Sequence, residues 1–260
     1  MGMGRTIAIS DIHGCPDALR RLLGKVGYEP AADRLLLLGD YVGRGPDSKG
    51  ALDALIRLKA EGGKSVVLLK GNHDHRFLEL IKTGHPGLAR SFLEHGGKAA
   101  LSSYGGWPQE HSWTPGELDD ALRLIRRRHP EHVRLLQGLE LYAEDDLRIY
   151  AHAGLDPAWG KRWKKQPAPM FYTVREPFLR HPVAAGKTVV FGHTQTRKLQ
   201  DGAGVWNAGD KLGIDGGCAY GYQLNALLLD PDGGWQEESV PANLGFESAG
   251  SCFIGRPPRV

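Results

Sequence analysis

Five short apolar runs, each closing on residues that bind metals or phosphate, constrain this chain more than any other feature of its sequence. Residues 6–10 (TIAIS) run into Asp11-Ile12-His13-Gly14, and residues 35–39 (LLLLG) into Asp40-Tyr41-Val42-Gly43-Arg44-Gly45. Residues 66–70 (VVLLK) run into Gly71-Asn72-His73-Asp74. Residues 147–152 (LRIYAH) end in His152 before Ala153-Gly154, and residues 188–193 (TVVFGH) end in His193 before Thr194. Runs this short and rich in β-branched residues, bounded by glycine or polar clusters, read as buried strands. Ligand sites in α/β sheets lie at the carboxyl ends of the strands, where these side chains fall.

Two further strand-like runs follow at 211–215 (KLGID) and 224–230 (LNALLLD). Between the early runs, residues 17–26 space Leu19, Leu22, Leu23 and Val26 at helical intervals, and residues 48–60 do so with Leu52, Leu55, Ile56 and Leu58. After Pro46, either Asp47 or Ser48 is placed to cap the second helix. Strand alternating with helix predicts an α/β fold. Residues 75–140 read mostly as helix and loop, and residues 147–230 as strand-rich. Beyond Asp232 the chain is rich in Gly, Pro and Ser and reads as a surface wrap or frayed tail. Neither a repeat nor a linker stands out. One domain over residues 1–260 is therefore expected, with its core at about 5–230 and an extension at about 232–260.

Composition excludes several classes. The 260 residues are 41% hydrophobic and 24% charged, as in globular proteins. A net charge of +3, with both signs mixed along the chain, is too little asymmetry to argue for nucleic acid or membrane as a partner. Cys15, Cys218 and Cys252 form neither a disulfide framework nor a thiolate zinc pattern. No run approaches transmembrane length and no secretory leader is evident, so a cytoplasmic protein is expected.

Carboxylates and an amide mixed with imidazoles suit divalent ions such as Mn²⁺, Fe²⁺ or Zn²⁺. Two such ions can clamp a phosphate and bring the pKa of a water near neutrality, which removes the need for a covalent protein nucleophile. Asp40, on the second of the five runs, is placed to bridge them. A single Asp or His at a strand end is commonly a turn or capping residue, but independent turn chemistry would not supply ligand types at all five. Other features keep two readings. Arg126-Arg127-Arg128 is either a phosphate patch or a helix C-terminus favoured by the helix dipole. Residues 159–165 (WGKRWKK) are either a base-stacking, polyphosphate-pairing element or an exposed loop with apolar anchors. Cys15 is either a redox-sensitive thiol or a small packed residue, and His75 sits close enough to the 72–74 turn to support it.

These motifs resemble the phosphoprotein phosphatase family of the calcineurin-like metallophosphoesterases, over residues 7 to 229. The family pattern GDxHG, GDxVDRG, GNHE, HAG and GH is met here by SDIHG, GDYVGRG, GNHD, HAG and GH. The pieces at 44–50 (RGPDSKG), 92–104 (FLEHGGKAALSSY) and 214–221 (IDGGCAYG) look like its bacterial branch. The resemblance implies two mixed β-sheets packed as a sandwich and flanked by helices. It implies two divalent metals, Mn²⁺ first, with Fe, Zn, Co or Ni as alternatives. Asp11 and His13 would bind one ion, Asp40 would bridge, and Asn72, His152 and His193 would bind the other. His73 would act as general acid, and Arg44, Asn72 and Arg175 would hold the phosphate, Arg175 on a looser match.

Two departures bear on substrate. Gly43 stands where the family's phosphatases have the aspartate that pairs with the catalytic histidine. Asp74, counted with the catalytic residues, replaces glutamate, one methylene shorter, and either supports Arg44 or turns toward His73. Loss of the carboxylate at Gly43 weakens general-acid assistance and favours substrates with good leaving groups. The leading expectation is a serine/threonine, or tyrosine, protein phosphatase acting on phosphoproteins. The alternative is a symmetrical diadenosine tetraphosphatase acting on dinucleoside polyphosphates. Those hydrolases also tend to lack the aspartate and to read GNHD, though they usually carry a longer insert than residues 155–191. A phospho-ligand-binding pseudoenzyme is the remaining reading, disfavoured by the complete ligand set and His73.

Overall fold

The apolar runs lack polar alternation because both of their faces are covered. In the computed structural model, which describes residues 4–109 and 111–242, β1 (Thr6–Ile9), β2 (Arg34–Leu37) and β3 (Val66–Leu68) are parallel neighbours. Alternate residues divide between two cores. Ile7, Ile9, Leu35 and Leu37 face helices, whereas Ala8, Leu36, Leu38 and Leu69 face a second sheet. That division is the period-two geometry of a strand acting on an all-apolar run.

The covering helices are α1 (Pro16–Lys25), α2 (Ser48–Gly62), α3 (Asn72–Thr83), α4 (Pro86–Phe92), α5 (Lys98–Gly105), α6 (Pro115–Arg128) and α7 (Pro130–Gln137). α1 and α2 match the two amphipathic stretches, and α3 to α7 fill the stretch expected to be helix and loop. Asp47 caps α2, its side chain accepting from Gly50 N at 2.7 Å. Ser48 instead accepts from Gly43 N at 2.9 Å and so steadies the loop after β2.

The second sheet holds β4 (Tyr142–Glu144), β5 (Arg148–Ala151), β6 (Thr188–Phe191), β7 (Trp206–Asn207) and β8 (Lys211–Gly213), in the order β4-β5-β6-β8-β7. β5, β6 and β8 are parallel, with an antiparallel strand at each edge. Tyr150, Val190, Leu212 and Ile214 face the first sheet. Ile149, Ala151, Val189 and Phe191 face outward onto Trp163, Phe171 and Phe178, which lie on or beside the short helices α8 (Met170–Thr173) and α9 (Glu176–Arg180).

β9 (Gln223–Leu229) and β10 (Trp235–Pro241) complete the first sheet in the order β10-β9-β1-β2-β3. β10 corrects the expectation of a wrap or frayed tail directly beyond Asp232. It pairs antiparallel with β9 from Trp235↔Leu229 to Pro241↔Gln223. Its residues WQEESVP are mostly exposed, so no apolar run announces it, and backbone pairing holds it at the edge. The rest of the expected extension, 243–260, lies outside the described residues. Among the described residues no helix is long and apolar enough to cross a membrane.

Candidate metal centre and active site

β1, β2 and β3 in one sheet and β6 and β8 in the other deliver the residues that follow them to one shared pocket of about 300 Å³, and His152, after β5, is buried behind it against Asp40. Among the described residues, five non-glycine residues have positive φ: Asp11 (54°), His13 (45°), Asp40 (54°), Arg44 (68°) and His193 (62°). All five line this pocket. Left-handed backbone costs such residues roughly 1–3 kcal/mol each and persists only where the surroundings enforce it. Here backbone bonds enforce it: Asp11 N donates to Gly39 O at 3.2 Å, His13 N to Asp40 O at 2.8 Å, and Arg44 N to Gly96 O at 2.8 Å. Gly71 is required by close approach, because a Cβ there would lie 2.1 Å from Asp40 Oδ1.

The candidate ligands converge on Asp40. Its carboxylate belongs to two groups of possible ligand atoms, one with His13 and His73, the other with His152 and His193. Asp40 Oδ2 lies 3.4 Å from His13 Nε2 and 3.5 Å from His152 Nε2. Asp11 Oδ1 is 4.0 Å from His13 Nε2, and Asn72 Oδ1 is 3.3 Å from His152 Nε2. The outer ring nitrogens are committed elsewhere. His13 Nδ1 bonds to Val42 O at 2.9 Å and His152 Nδ1 to Leu38 O at 2.9 Å. Each carbonyl accepts from Nδ1, so the inward-facing Nε2 is the nitrogen that would meet an ion, the usual support for a ligating imidazole; on His152 an ion would displace the Nε2 proton.

The electrostatics fit divalent cations. Asp11, Asp40 and Asp215 are all buried here, and burial pushes Asp11 and Asp215 up, reinforced in each by the neighbouring carboxylates. Burial also opposes ionised Asp40, but the surrounding histidines, His152 foremost, hold it well below the ordinary range. His193 is driven down to about 2, by burial and then by repulsion from His152, and its buried Nε2 has no hydrogen-bond partner. Burial opposes the charge on His152 as well, yet Asp40 and then Asp11 raise it to about 9. Packed carboxylates with lone-pair nitrogens and no Lys among these donors are what positive ions would relieve.

Arg44, Arg175 and His73 line the same pocket. Arg175 Nη1 donates to Thr194 Oγ1 at 3.1 Å, which holds it beside the loop of His193. Arg44 Nη2 lies 3.2 Å from His73 Nε2. Arginine has only protons to give, so His73 Nε2 accepts there and the imidazole is neutral. Burial drives its pKa down to about 3. His73 Nδ1 is buried without a partner, and the nearest heavy atom to a Cβ built on Gly43 is that same Nδ1, at 2.9 Å. The missing aspartate is therefore missing opposite the nitrogen it would have paired.

Asp74 corrects its expected catalytic role and both expected partners, Arg44 and His73. Its Oδ2 accepts from Asp40 N at 2.8 Å and Gly71 N at 3.0 Å, and its Oδ1 from Tyr41 N at 2.9 Å. It is buried and does not line the pocket; it positions the loop that carries Asp40. Asp215 was not singled out by sequence reasoning, yet it lines the pocket after β8, with Oδ1 accepting from Gly217 N at 2.9 Å. The strand-end position of Asp215 in KLGID is the signal that could have found it. Arg76, Gln195, Lys198 and Tyr220 also line the pocket.

Residues 159–165 do not line the pocket. Trp163 is buried against Tyr142 and Phe171, and Lys164 pairs with Glu144, as expected of a loop with apolar anchors. Arg126–Arg128 form the last turn of α6, and Arg126 donates to Ile81 O at 2.5 Å. Cys15 is packed beside Cys218, both buried. His75 packs on Tyr172 with ring centroids 5.2 Å apart.

The sequence pattern of the calcineurin-like phosphoesterases matches residues 4–197. The chain belongs to that family. Its members are hydrolases that use two divalent metals, and the candidate ligands for such a pair are present here. A curated relative, the symmetrical bis(5'-nucleosyl)-tetraphosphatase of Salmonella paratyphi C (strain RKS4594), is 35% identical over 161 residues, covering 62% of this chain and 47% of its own. The match thus spans about half the length of the curated relative. The fold is shared with a provisionally assigned diadenosine tetraphosphatase (26% identity, TM-score 0.56, 92% of this chain and 94% of that one). It is shared also with the cold-active protein-tyrosine phosphatase of a Shewanella psychrophile (16% identity, TM-score 0.54, 91% and 80%). The second likeness concerns fold alone.

Proposed function

We propose that this metallophosphoesterase cleaves phosphoanhydrides, with a dinucleoside tetraphosphate split symmetrically into two nucleoside diphosphates. The observation that carries this reading is the unpartnered Nδ1 of His73 opposite Gly43. A general acid contributes typically about 10²–10⁴-fold, but only when its charged form is stabilised and oriented. His73 has no carboxylate for that purpose. A nucleoside diphosphate leaves readily with little proton assistance, whereas the alkoxide of serine does not. The expected protein phosphatase activity draws support only from likeness of fold, so the alternative from the sequence becomes the main reading. The tetraphosphatase name of the 35% identical relative supports the same choice.

In this reading Asp11, His13, Asp40, Asn72, His152 and His193 hold two divalent ions, Mn²⁺ foremost. When bound, the ions supply positive charge against the phosphate oxygens and acidify a water molecule to near neutrality. Arg44 and Arg175 grip the phosphoryl oxygens through their guanidinium forks and align the phosphorus for attack. As the substrate phosphate draws Arg44, His73 Nε2 is freed to take up a proton and pass it to the leaving oxygen, an assistance that a diphosphate leaving group needs little. The water oxygen bonds to one central phosphorus, the central bridging P–O bond breaks, and two diphosphates depart.

The test presents the Mn²⁺-loaded protein with diadenosine tetraphosphate and a phosphoserine peptide side by side. The expected kcat/KM for the tetraphosphate is higher by about tenfold or more, a direct measure of differential transition-state binding. A preference for the phosphopeptide overturns the reading. Products other than two diphosphates overturn its symmetrical part.

A further inference from the structure

Tyr220 lines the pocket, and Tyr222 follows it two residues on; neither has a part in holding metal or phosphate in the reading above. Tyr220 is 45% and Tyr222 42% exposed, and among the described residues only one other large hydrophobic side chain, Leu147 at 43%, is as exposed. Both tyrosines belong to the loop between β8 and β9, where Gly217 and Gly221, at φ 71° and 84°, close a single helical turn over Cys218–Tyr220. The turn brings Tyr220 into the pocket lining beside Gln195 and Lys198. The guanidinium of Arg44 lies over the Tyr220 ring, 5.1 Å from its centroid, and that of Arg197 over the Tyr222 ring at 4.2 Å. These cations hold the rings at the edge of the site. A chain of contacts therefore runs from His73 through Arg44 to Tyr220.

The pocket has room for phosphates but not for two nucleosides as well, at about 300 Å³. It also carries more positive charge than a phosphate monoester requires. Arg76 and Lys198 line it in addition to Arg44 and Arg175, and Arg197 stands just outside. A polyphosphate uses that surplus, and its nucleosides must then leave the pocket across the rim. We propose that Tyr220, flanked by Tyr222, is the stacking platform for one base of a dinucleoside polyphosphate, with Lys198 and Arg197 along its phosphate chain. This rests on the function proposed above and adds the subsite that selects a nucleotide over a peptide. Aromatic side chains serve bases this way because every base offers a π face.

The experiment measures binding of ADP and of inorganic pyrophosphate to the Mn²⁺-loaded protein by calorimetry, in wild type, Tyr220→Ala and Tyr220→Phe. Both ligands carry a diphosphate, and only ADP carries a base. Tyr220→Ala is expected to weaken ADP by about 5- to 150-fold, the range of a lost base–aromatic stack, with a much smaller change for pyrophosphate. Tyr220→Phe keeps the ring and is expected to keep ADP binding. Equal losses for both ligands, no loss for either, or a Phe variant as weak as the Ala variant overturns the proposal. If the protein fails to cleave diadenosine tetraphosphate but shows the base-dependent loss, the platform stands and the substrate reading falls. If it cleaves the tetraphosphate while Tyr220→Ala binds ADP as wild type does, the platform falls and the substrate reading stands.

Discussion

His73 sits beside a glycine that decides how well it can work. Gly43 is plain in the sequence, but only the structure sets its missing Cβ against the bare Nδ1 of His73. Gly43→Asp puts a carboxylate where it can orient the ring and stabilise its charged form. The change is not free of strain: φ is 85°, and the ring must yield a few tenths of an ångström. Aspartate tolerates left-handed backbone better than most residues, so a small loss of thermal stability is expected rather than failure to fold. Turnover of a phosphoserine peptide should rise by about tenfold or more, a fraction of the roughly 10²–10⁴-fold typical of general-acid catalysis, and turnover of an aryl phosphate should rise less. Steady-state kinetics on the two substrates gives the ratio, and a ratio at the wild-type value defeats this account of Gly43.

Between elements, Asp74 joins the start of α3 to the loop after β2. One carboxylate on the first turn of α3 takes N–H groups from Asp40, Tyr41 and Gly71. That bond set keeps Asp40 at its left-handed φ and beside both groups of ligands. Sequence reasoning identified Asp74 as a departure from GNHE but assigned it partners among side chains. Its real partners are backbone amides, which no residue pattern displays. Asp74→Ala leaves those buried donors without acceptors, at about 1–3 kcal/mol for each group left unsatisfied. Thermal unfolding should shift down by several degrees, and a Mn²⁺ titration should show weaker binding as the loop relaxes. Unaltered metal affinity in a folded Asp74→Ala protein would remove the positioning role. β10 shows the same limit differently. A strand of exposed polar residues held by backbone bonds leaves no hydrophobic signature.

For the whole molecule, the two sheets meet face to face and bring strand ends from distant chain segments into one pocket. The buried carboxylates gathered there make the fold itself sensitive to metal. A ligand that binds only the native state adds stability, about 2.7 kcal/mol when present at a hundred times its dissociation constant. Chelation is expected to abolish hydrolysis and lower the unfolding temperature, and added Mn²⁺ should restore both. An unchanged unfolding temperature with activity lost would mean that the unfolded chain holds the ions as well as the native one does. The sequence by itself picked out the six candidate ligands, His73, Arg44, the alternation of strand and helix in the first half and the α/β class. These are local facts: an apolar run followed by a glycine and a donor is written in consecutive residues. Tertiary structure decided that Asp74 clamps a loop, that Asp215 and Lys198 join the pocket, that residues 159–165 stay outside it, and that Tyr220 stands at its rim. Each depends on how far apart two chain segments come to rest, which is set by the packing of two sheets and not by the spacing of residues along either.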